Sequence, residues 1–418
     1  MSATATDAPQ QHHKAPVLLI FLLFCATALN YLDRQVLALL KPMLTDQFHW
    51  SDTDYAQLGE AFQYTAAASF LIVGWLVDRL GVRRALGIGV AVWSLAGMAH
   101  AFASTIREFV FARIALAAAE TVGTPAGVKA AAVYMPVQHR SMMFAIGNAA
   151  PNVGTIIAPL MIPPFAAVFG WQAAFLVTGA LGFVWLVFWI LGTRNLKPVA
   201  QAPEVLKAVR GAAPPIREIV RDRRTWAIIG AKPLSDVAWF FMLFWIPDFF
   251  HRQFGMTQAT LGWPEALIYS LAACGALSSG FLFPALLRRG WSINRARKSS
   301  MFTYALIILP LPLALLANNP WVAALIIGIA LFAHQGFSTN LFGLTADVIP
   351  SDRVATVIGA GAVAGNLAGA WIIKLSGWSL TNGHGYWPMF AICSCGYLLA
   401  LGWVHLMVPN VRLSTDKA

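Results

Sequence analysis

Charge is scarce in this sequence. Asp, Glu, Lys and Arg make up 11% of its 418 residues against 58% hydrophobic residues, and the mean hydropathy is +0.65. Domains that fold in water carry about 25% charged residues, so a water-soluble core is excluded. Cysteine is scarcer still. Cys25, Cys274, Cys393 and Cys395 lie inside apolar stretches without metal-ligand spacing, and burial as small hydrophobes is the expected role. No Gly-x-x-x-x-Gly-Lys-Ser/Thr loop occurs, which leaves direct ATP drive unsupported. No grouped nucleophile, acid and base stands out near an interface, which weighs against an integral-membrane enzyme acting on lipid or sugar. Residues 1–15 are polar and disordered in composition, and the apolar run after them lacks a small-residue cleavage site. An uncleaved first span with a cytoplasmic N-terminus is expected.

Apolar runs are abundant. A spanning helix needs about 20 mostly apolar residues. Runs bounded by charge, Pro and Gly predict spans near 16–40, 54–77, 84–104, 107–134, 140–167, 171–192, 225–250, 263–287, 300–317, 320–346, 354–374 and 386–408. Most of the 29 Lys and Arg then fall on one side of the membrane. Only Lys41, Arg107, Arg252 and Lys374 fall in loops or at span ends on the other side, and Arg34, Arg113, Lys129 and Lys232 fall deeper within spans. The positive-inside rule makes the rich side cytoplasmic and puts both termini there, in the cell membrane. The net charge of +11 is therefore spread over loops facing anionic headgroups, and no nucleic-acid partner is implied.

The longest polar interruption, 193–224, carries eight basic residues with Pro198, Pro203, Pro214 and Pro215 among them, and reads as a basic cytoplasmic linker. It divides a bundle at 16–192 from one at 225–408, followed by a cytoplasmic tail at 409–418. The halves resemble each other. Gly74 to Arg84 follows the second span and Gly280 to Gly290 the eighth; a glycine, a leucine two places on and a basic pair recur, with Asp78 replaced by Pro284. Pro136 to Gly147 and Pro350 to Gly359 each carry an arginine, Arg140 or Arg353, and end in Ile-Gly. An all-α membrane protein of twelve helices in two pseudo-symmetric halves, with a site between them near the midplane, is an architecture for alternating access.

Ionisable side chains inside spans are costly, about 2.5–3.5 kcal/mol each on insertion scales, so each needs a partner or a purpose. Asp33 and Arg34 lie deep in the first span. Arg113 and Glu120 are seven residues apart on one face of the fourth. Arginine keeps its proton and offers a planar fork to a carboxylate, so Arg34 or Arg113 suits an anionic substrate. Asp33 and Glu120 can titrate, and a proton on one of them would free an arginine for the substrate. A static ion-pair lattice between helices is the alternative, and Arg113 also lies where it can help close an outer gate. Lys129 stands open between a substrate or gate charge and a lysine snorkelling to the cytoplasm, because Gly123, Pro125 and Gly127 can bend its helix. Lys232 and Asp236, four apart, can satisfy each other. Asn30, Tyr31, Tyr64, Asn148, Asn152, His334, Gln335, Ser338, Thr339 and Asn366 offer neutral hydrogen-bonding groups, either to a ligand or between helices. The sixteen tryptophans mostly sit near span ends as interfacial anchors; Trp239 lies deeper and can stack on a sugar ring. Gly361, Gly365 and Gly369 form a stripe for close helix approach.

Gly74 to Arg84 resembles the loop signature Gly-x-Leu-x-Asp-Arg-x-Gly-x-Arg-Arg of the major facilitator superfamily. Asn30-Tyr31-Leu32-Asp33-Arg34, Arg113, Ala119-Glu120, Pro125 to Ala130 and Phe332 to Ser338 resemble its anion:cation symporters. The Pro-Ala-Gly-x-Lys-Ala and Phe-Ala-His-Gln pieces, with Lys232 to Trp239, resemble the hexuronate transporters. The resemblance implies proton-coupled import of a small anionic sugar acid by a chain that works as a monomer, with no cofactor beyond the coupling protons. With the charges and polar groups above, the expected roles are coupling by Asp33 and Glu120; substrate contacts from Arg34, Tyr31, Tyr64, Arg113, Lys129, Asn148, Lys232, Trp239, His334, Gln335, Ser338, Thr339 and Asn366; and gating by Asp78, Arg79, Arg83, Arg84 and Arg140. Gly147-x-x-x-Pro151-x-x-Gly154 partly resembles a motif of drug/proton antiporters, which keeps proton-driven export as an alternative, beside a non-transporting membrane sensor.

Overall fold

The computed structural model describes residues 14–135, 137–196, 198, 216–350 and 353–411. Among these, twelve helices are long and apolar enough to span a membrane. They are α1 (Val17–Phe48), α2 (Asp52–Leu80), α3 (Val82–Phe102), α4 (Ile106–Tyr134), α5 (Ala149–Phe169), α6 (Trp171–Thr193), α7 (Arg223–Phe254), α8 (Gln258–Arg288), α9 (Ile293–Leu316), α10 (Pro320–Val348), α11 (Thr356–Thr381) and α12 (Trp387–Met407).

Local chemistry fixes their ends. Ser51 and Asp54 form a capping box at the start of α2, and Thr105 and Glu108 form another at α4. Gly81, at φ +77°, makes the tight reversal from α2 into α3 that the signature glycine demands. Several helices outrun the predicted spans: α1 continues to Phe48, α9 starts at Ile293 and α11 reaches Thr381. Hydropathy marks the bilayer, whereas the helical hydrogen-bond ladder continues past the headgroups wherever nothing breaks it. Proline does break α4. Pro125 cannot donate to the carbonyl one turn back, and the helix interrupts at Thr121–Val122 before resuming at Gly123.

The halves, α1–α6 and α7–α12, meet chiefly through α2 against α11 and α5 against α8. Exchanging the halves maps one contact onto the other, as two related repeats require. One apolar core lies wholly within the first half, around Phe62, Val77, Leu86, Trp93 and Trp189. The other joins the outer part of the first half, from Leu37, Leu44, Tyr55 and Phe109, to the second half at Phe241, Trp245, Phe249 and Phe390. The outer end is therefore shut by a continuous core. Among the described residues, every side-chain hydrogen bond and ion pair between the helices of the two halves lies in that outer half.

Glycine permits the closest approach. A Cβ at Gly262 of α8 would lie 2.1 Å from the Pro159 carbonyl oxygen of α5, and one at Gly377 of α11 would lie 2.5 Å from the Ala56 methyl of α2. Gly262→Ala is expected to destabilise this interface by about 1–3 kcal/mol, the usual cost of overpacking. Heat unfolding in detergent should show a lower midpoint; an unchanged one would mean that the α5–α8 seam can take up a methyl group.

The glycine stripe on α11 has a similar reason. Gly365 faces Asp236, Gly369 faces Phe240 and Gly361 faces Lys232, all on α7. Of the linker, residues 216–221 form a short helix whose Glu218 pairs with Arg353 at 2.5 Å. The N-terminal residues 1–13, most of the linker and residues 412–418 lie outside the described set.

Candidate functional site

A cavity of about 350 Å3, counted out to its open side, lies between the halves. Arg34, Gly59, Phe62, Gln63 and Arg113 line it from the first half, and Phe240, Leu243, Phe244 and Ile373 from the second. Charge comes from one wall and apolar surface from the other, which suits a molecule with one anionic end.

Three helices build the charged wall. Arg34 on α1 donates through Nε to Glu120 Oε2 on α4 at 2.9 Å, and its two Nη groups make no hydrogen bond among the described residues. The Arg34 guanidinium lies 5.1 Å from the Tyr31 ring centre and 5.2 Å from that of Phe62 on α2. The Arg113 guanidinium lies 4.7 Å from the same Phe62 ring centre, so one ring serves two cations. Arg113 is 2% exposed, and its Nε and Nη1 have no hydrogen-bond partner. The break in α4 falls directly after Glu120, and the freed Glu120 carbonyl accepts from Asn30 Nδ2 at 3.4 Å. The α4 discontinuity thus holds the titratable carboxylate at the α1 contact.

Asp33 departs from the expectation that two carboxylates and two guanidiniums share one cavity. Neighbours on a helix point about 100° apart. With Arg34 aimed at α4, Asp33 turns towards Thr178 of α6, within electrostatic reach of Glu120 and Arg113 but paired with neither. Lys129 is not part of the cluster either. Beyond the break it reaches the cytoplasmic end of α2 and bonds Asp78 at 2.8 Å and the Val77 carbonyl at 3.0 Å. That contact ties the signature aspartate to α4 within one half. Arg83 donates to the Ile190 carbonyl of α6, and Arg79 lies over Trp75, 5.5 Å from its ring centre. Arg84 is exposed. The side chains of Arg140 and Asn148 lie outside the described set.

The residues expected on the second half's side do not line the cavity. Lys232 bonds Asp236 at 2.9 Å and lies over Phe342. Trp239 stacks on His334 at 5.5 Å between ring centres, so a ring does occupy its face, although it is this histidine. Tyr397 donates its hydroxyl hydrogen to the Ser235 carbonyl, so His334 Nδ1, 2.6 Å from that hydroxyl, must be the donor to it. His334 is thereby fixed as a link between α10, α12 and α7. Asn366 donates to Ala362 and Thr339 to Gln335, each on its own helix. Gln335 is half-buried, Ser338 is buried, and Tyr64 is 47% exposed on α2.

Two features went unread in the sequence. At the outer end, Lys41, assigned to a loop, is 1% exposed inside α1. Its Nζ lies 2.6 Å from Asp248 of α7 and 2.8 Å from Asp52 of α2. Arg252 pairs with the same two carboxylates, Tyr386 donates to Asp248, and Tyr55 donates to the Phe244 carbonyl at 2.9 Å. Two cations and two carboxylates from both halves form this outer lock. Asp248, amid Trp245-Ile246-Pro247 and Phe249-Phe250, was the available signal. The second feature is Glu265, inside the eighth predicted span and 1% exposed.

Residues 23–373 match the family model of the Major Facilitator Superfamily. The chain belongs to this superfamily. Like other Major Facilitator proteins it is a transporter and not an enzyme, and a multi-pass membrane protein. It is 27% identical over 409 residues to the Hexuronate transporter of Escherichia coli (strain K12), covering 94% of both chains. It is 27% identical over 322 residues to the Galacturonate transporter of Dickeya chrysanthemi, covering 73% of this chain and 92% of that one. Its Major Facilitator fold superposes on the crystal structure of a bacterial homolog of the human lysosomal transporter Spinster, in an inward-facing and unoccupied conformation. The TM-score is 0.73 at 16% identity, over 96% of each chain.

Proposed function

We propose that this transporter imports a hexuronate or related sugar acid together with protons, by alternating access within a single chain. One observation carries the reading: the ion pair of the cavity-lining Arg34 with the buried Glu120, between the halves. A permanently charged cation is held there by a group that can take up a proton. When Glu120 is ionised, it occupies Arg34. When it is protonated, the pair weakens, and the Arg34 fork can turn to a substrate carboxylate. Arg113, with unpartnered donors, adds positive potential and a second fork. The sugar acid classes carried by the named relatives fit a wall of this charge. Protons are the only coupling species this scheme needs, and the cavity and outer lock both form inside one chain, which supports a functional monomer.

Proton-driven export gains little from the antiporter-like spacing on α5. A Cβ at Gly154 would lie 2.2 Å from the Ala28 carbonyl oxygen of α1, so close α1–α5 packing accounts for that glycine.

Uptake of radiolabelled glucuronate and galacturonate into proteoliposomes, with and without an inward proton gradient, tests the proposal. Gradient-driven accumulation is expected for the wild type. In Glu120→Gln it should be lost while exchange of substrate for substrate persists, because the neutral amide imitates the loaded carboxyl. No flux of either sugar acid sinks the substrate class, and binding without flux makes the chain a sensor.

A further inference from the structure

Glu265 sits on α8 seven residues below its outer end, about 10 Å into the helix. It is 1% exposed, and both carboxyl oxygens are buried without a hydrogen-bond partner. No Lys, Arg or His pairs with it among the described residues. The groups facing it are neutral. Tyr269 lies one turn along its own helix, Tyr55 reaches it electrostatically from α2, and Gln35 of α1 approaches Tyr269 with its own amide unpartnered. Its helix packs against α5 of the other half through Gly262, one turn away. Lys41 and Arg252 of the outer lock are engaged with Asp52 and Asp248.

An ionised carboxylate without a cation or donor is among the most costly groups to bury, whereas the neutral acid costs far less. The outer half can therefore close over Glu265 only when it carries a proton. When the halves part there, α8 separates from α5 and water reaches the carboxyl, which can then ionise. We propose that Glu265 is a proton-binding site that licenses closure of the outer side, distinct from the Arg34–Glu120 pair. The proton comes from outer water as the acid forms, and it returns to water when the site reopens and the acid ionises. Acid outside thus favours the inward-facing form. This holds whatever solute is carried, so it stands or falls separately from the sugar-acid reading.

The test is the distance between spin labels at Ser104→Cys and Asn382→Cys, exposed outer positions on the two halves, with the native cysteines replaced by serine. In the wild type, the parted population should rise with pH, by up to about tenfold per unit for one linked proton. Glu265→Gln should flatten that profile and stay closed, while Glu120→Gln should keep the dependence. Glu265→Met, of similar length and without a titrating group, should be flat as well, and it decides if the glutamine variant does not fold. A flat wild-type profile, or a wild-type slope in either Glu265 variant, overturns the assignment.

Discussion

Replacing Lys41 with alanine is expected to tip the transporter towards an outward-open form. Lys41 is almost wholly buried and holds a carboxylate from each half, Asp52 on α2 and Asp248 on α7. Its ammonium also lies 5.0 Å from the ring centre of Tyr55 and 4.7 Å from that of Trp245, which meet edge to face across the seam where Tyr55 also stacks on Phe244. Removing one partner of a buried charge cluster typically costs about 3–5 kcal/mol, because the remaining charges stay out of water. Arg252 keeps both carboxylates, so the lower end applies here. In the parted form water solvates Asp52 and Asp248, and the loss falls on the closed form alone. A cost of about 3 kcal/mol changes the ratio of the two forms by about 150-fold. A membrane-impermeant maleimide applied from outside at fixed pH reads this at Gln63→Cys, which lines the cavity behind the lock. Labelling should be slow with Lys41 present and at least tenfold faster without it. Equal rates would show that the apolar core of Leu44, Phe244 and Phe249 closes the outer side by itself.

The lock and the central pair differ in how far the sequence disclosed them. Twelve apolar runs, the basic linker and the paired loop motifs gave the fold, because bilayer thickness and the positive-inside rule act on composition and need no contacts. Arg34, Arg113 and Glu120 could be named because a charge deep in an apolar run stands out. Their geometry could not, since it depends on contacts between helices, with Glu120 of α4 set against Arg34 of α1 next to the Pro125 break and Lys129 beyond it held by Asp78. Lys41 was lost to a span drawn one residue too short. Helices continue beyond the apolar run, and near an outer gate the extra turns are where the two halves meet. His334 shows the opposite limit. Its residue type suits a ligand or a link between helices, and only the Tyr397 and Ser235 contacts reveal a fixed donor in a helix junction.

Arg34→Ala should reduce sugar-acid binding more than any substitution on the second half's wall. The cavity's second-half lining is Phe240, Leu243, Phe244 and Ile373, which offers no charge to a carboxylate. Truncating one member of a buried, hydrogen-bonded charge pair costs about 2–5 kcal/mol, so glucuronate affinity should fall by at least about 30-fold. Glu120, whose side chain has no exposure, is then left without its bonded cation and stays protonated. The pH dependence of binding should flatten together with the loss of affinity. Arg34→Lys separates charge from shape: a lysine keeps a cation beside Glu120 but lacks the planar fork, and partial recovery is expected. Calorimetric titration of the detergent-solubilised protein at pH 6 and pH 8 supplies both readouts. If Arg34→Ala binds as the wild type does while Arg113→Ala fails, the anchor is Arg113. The two donors that Arg113 holds unpartnered above Phe62 would then be the ones the substrate carboxylate meets, and the Arg34–Glu120 pair would serve the proton alone.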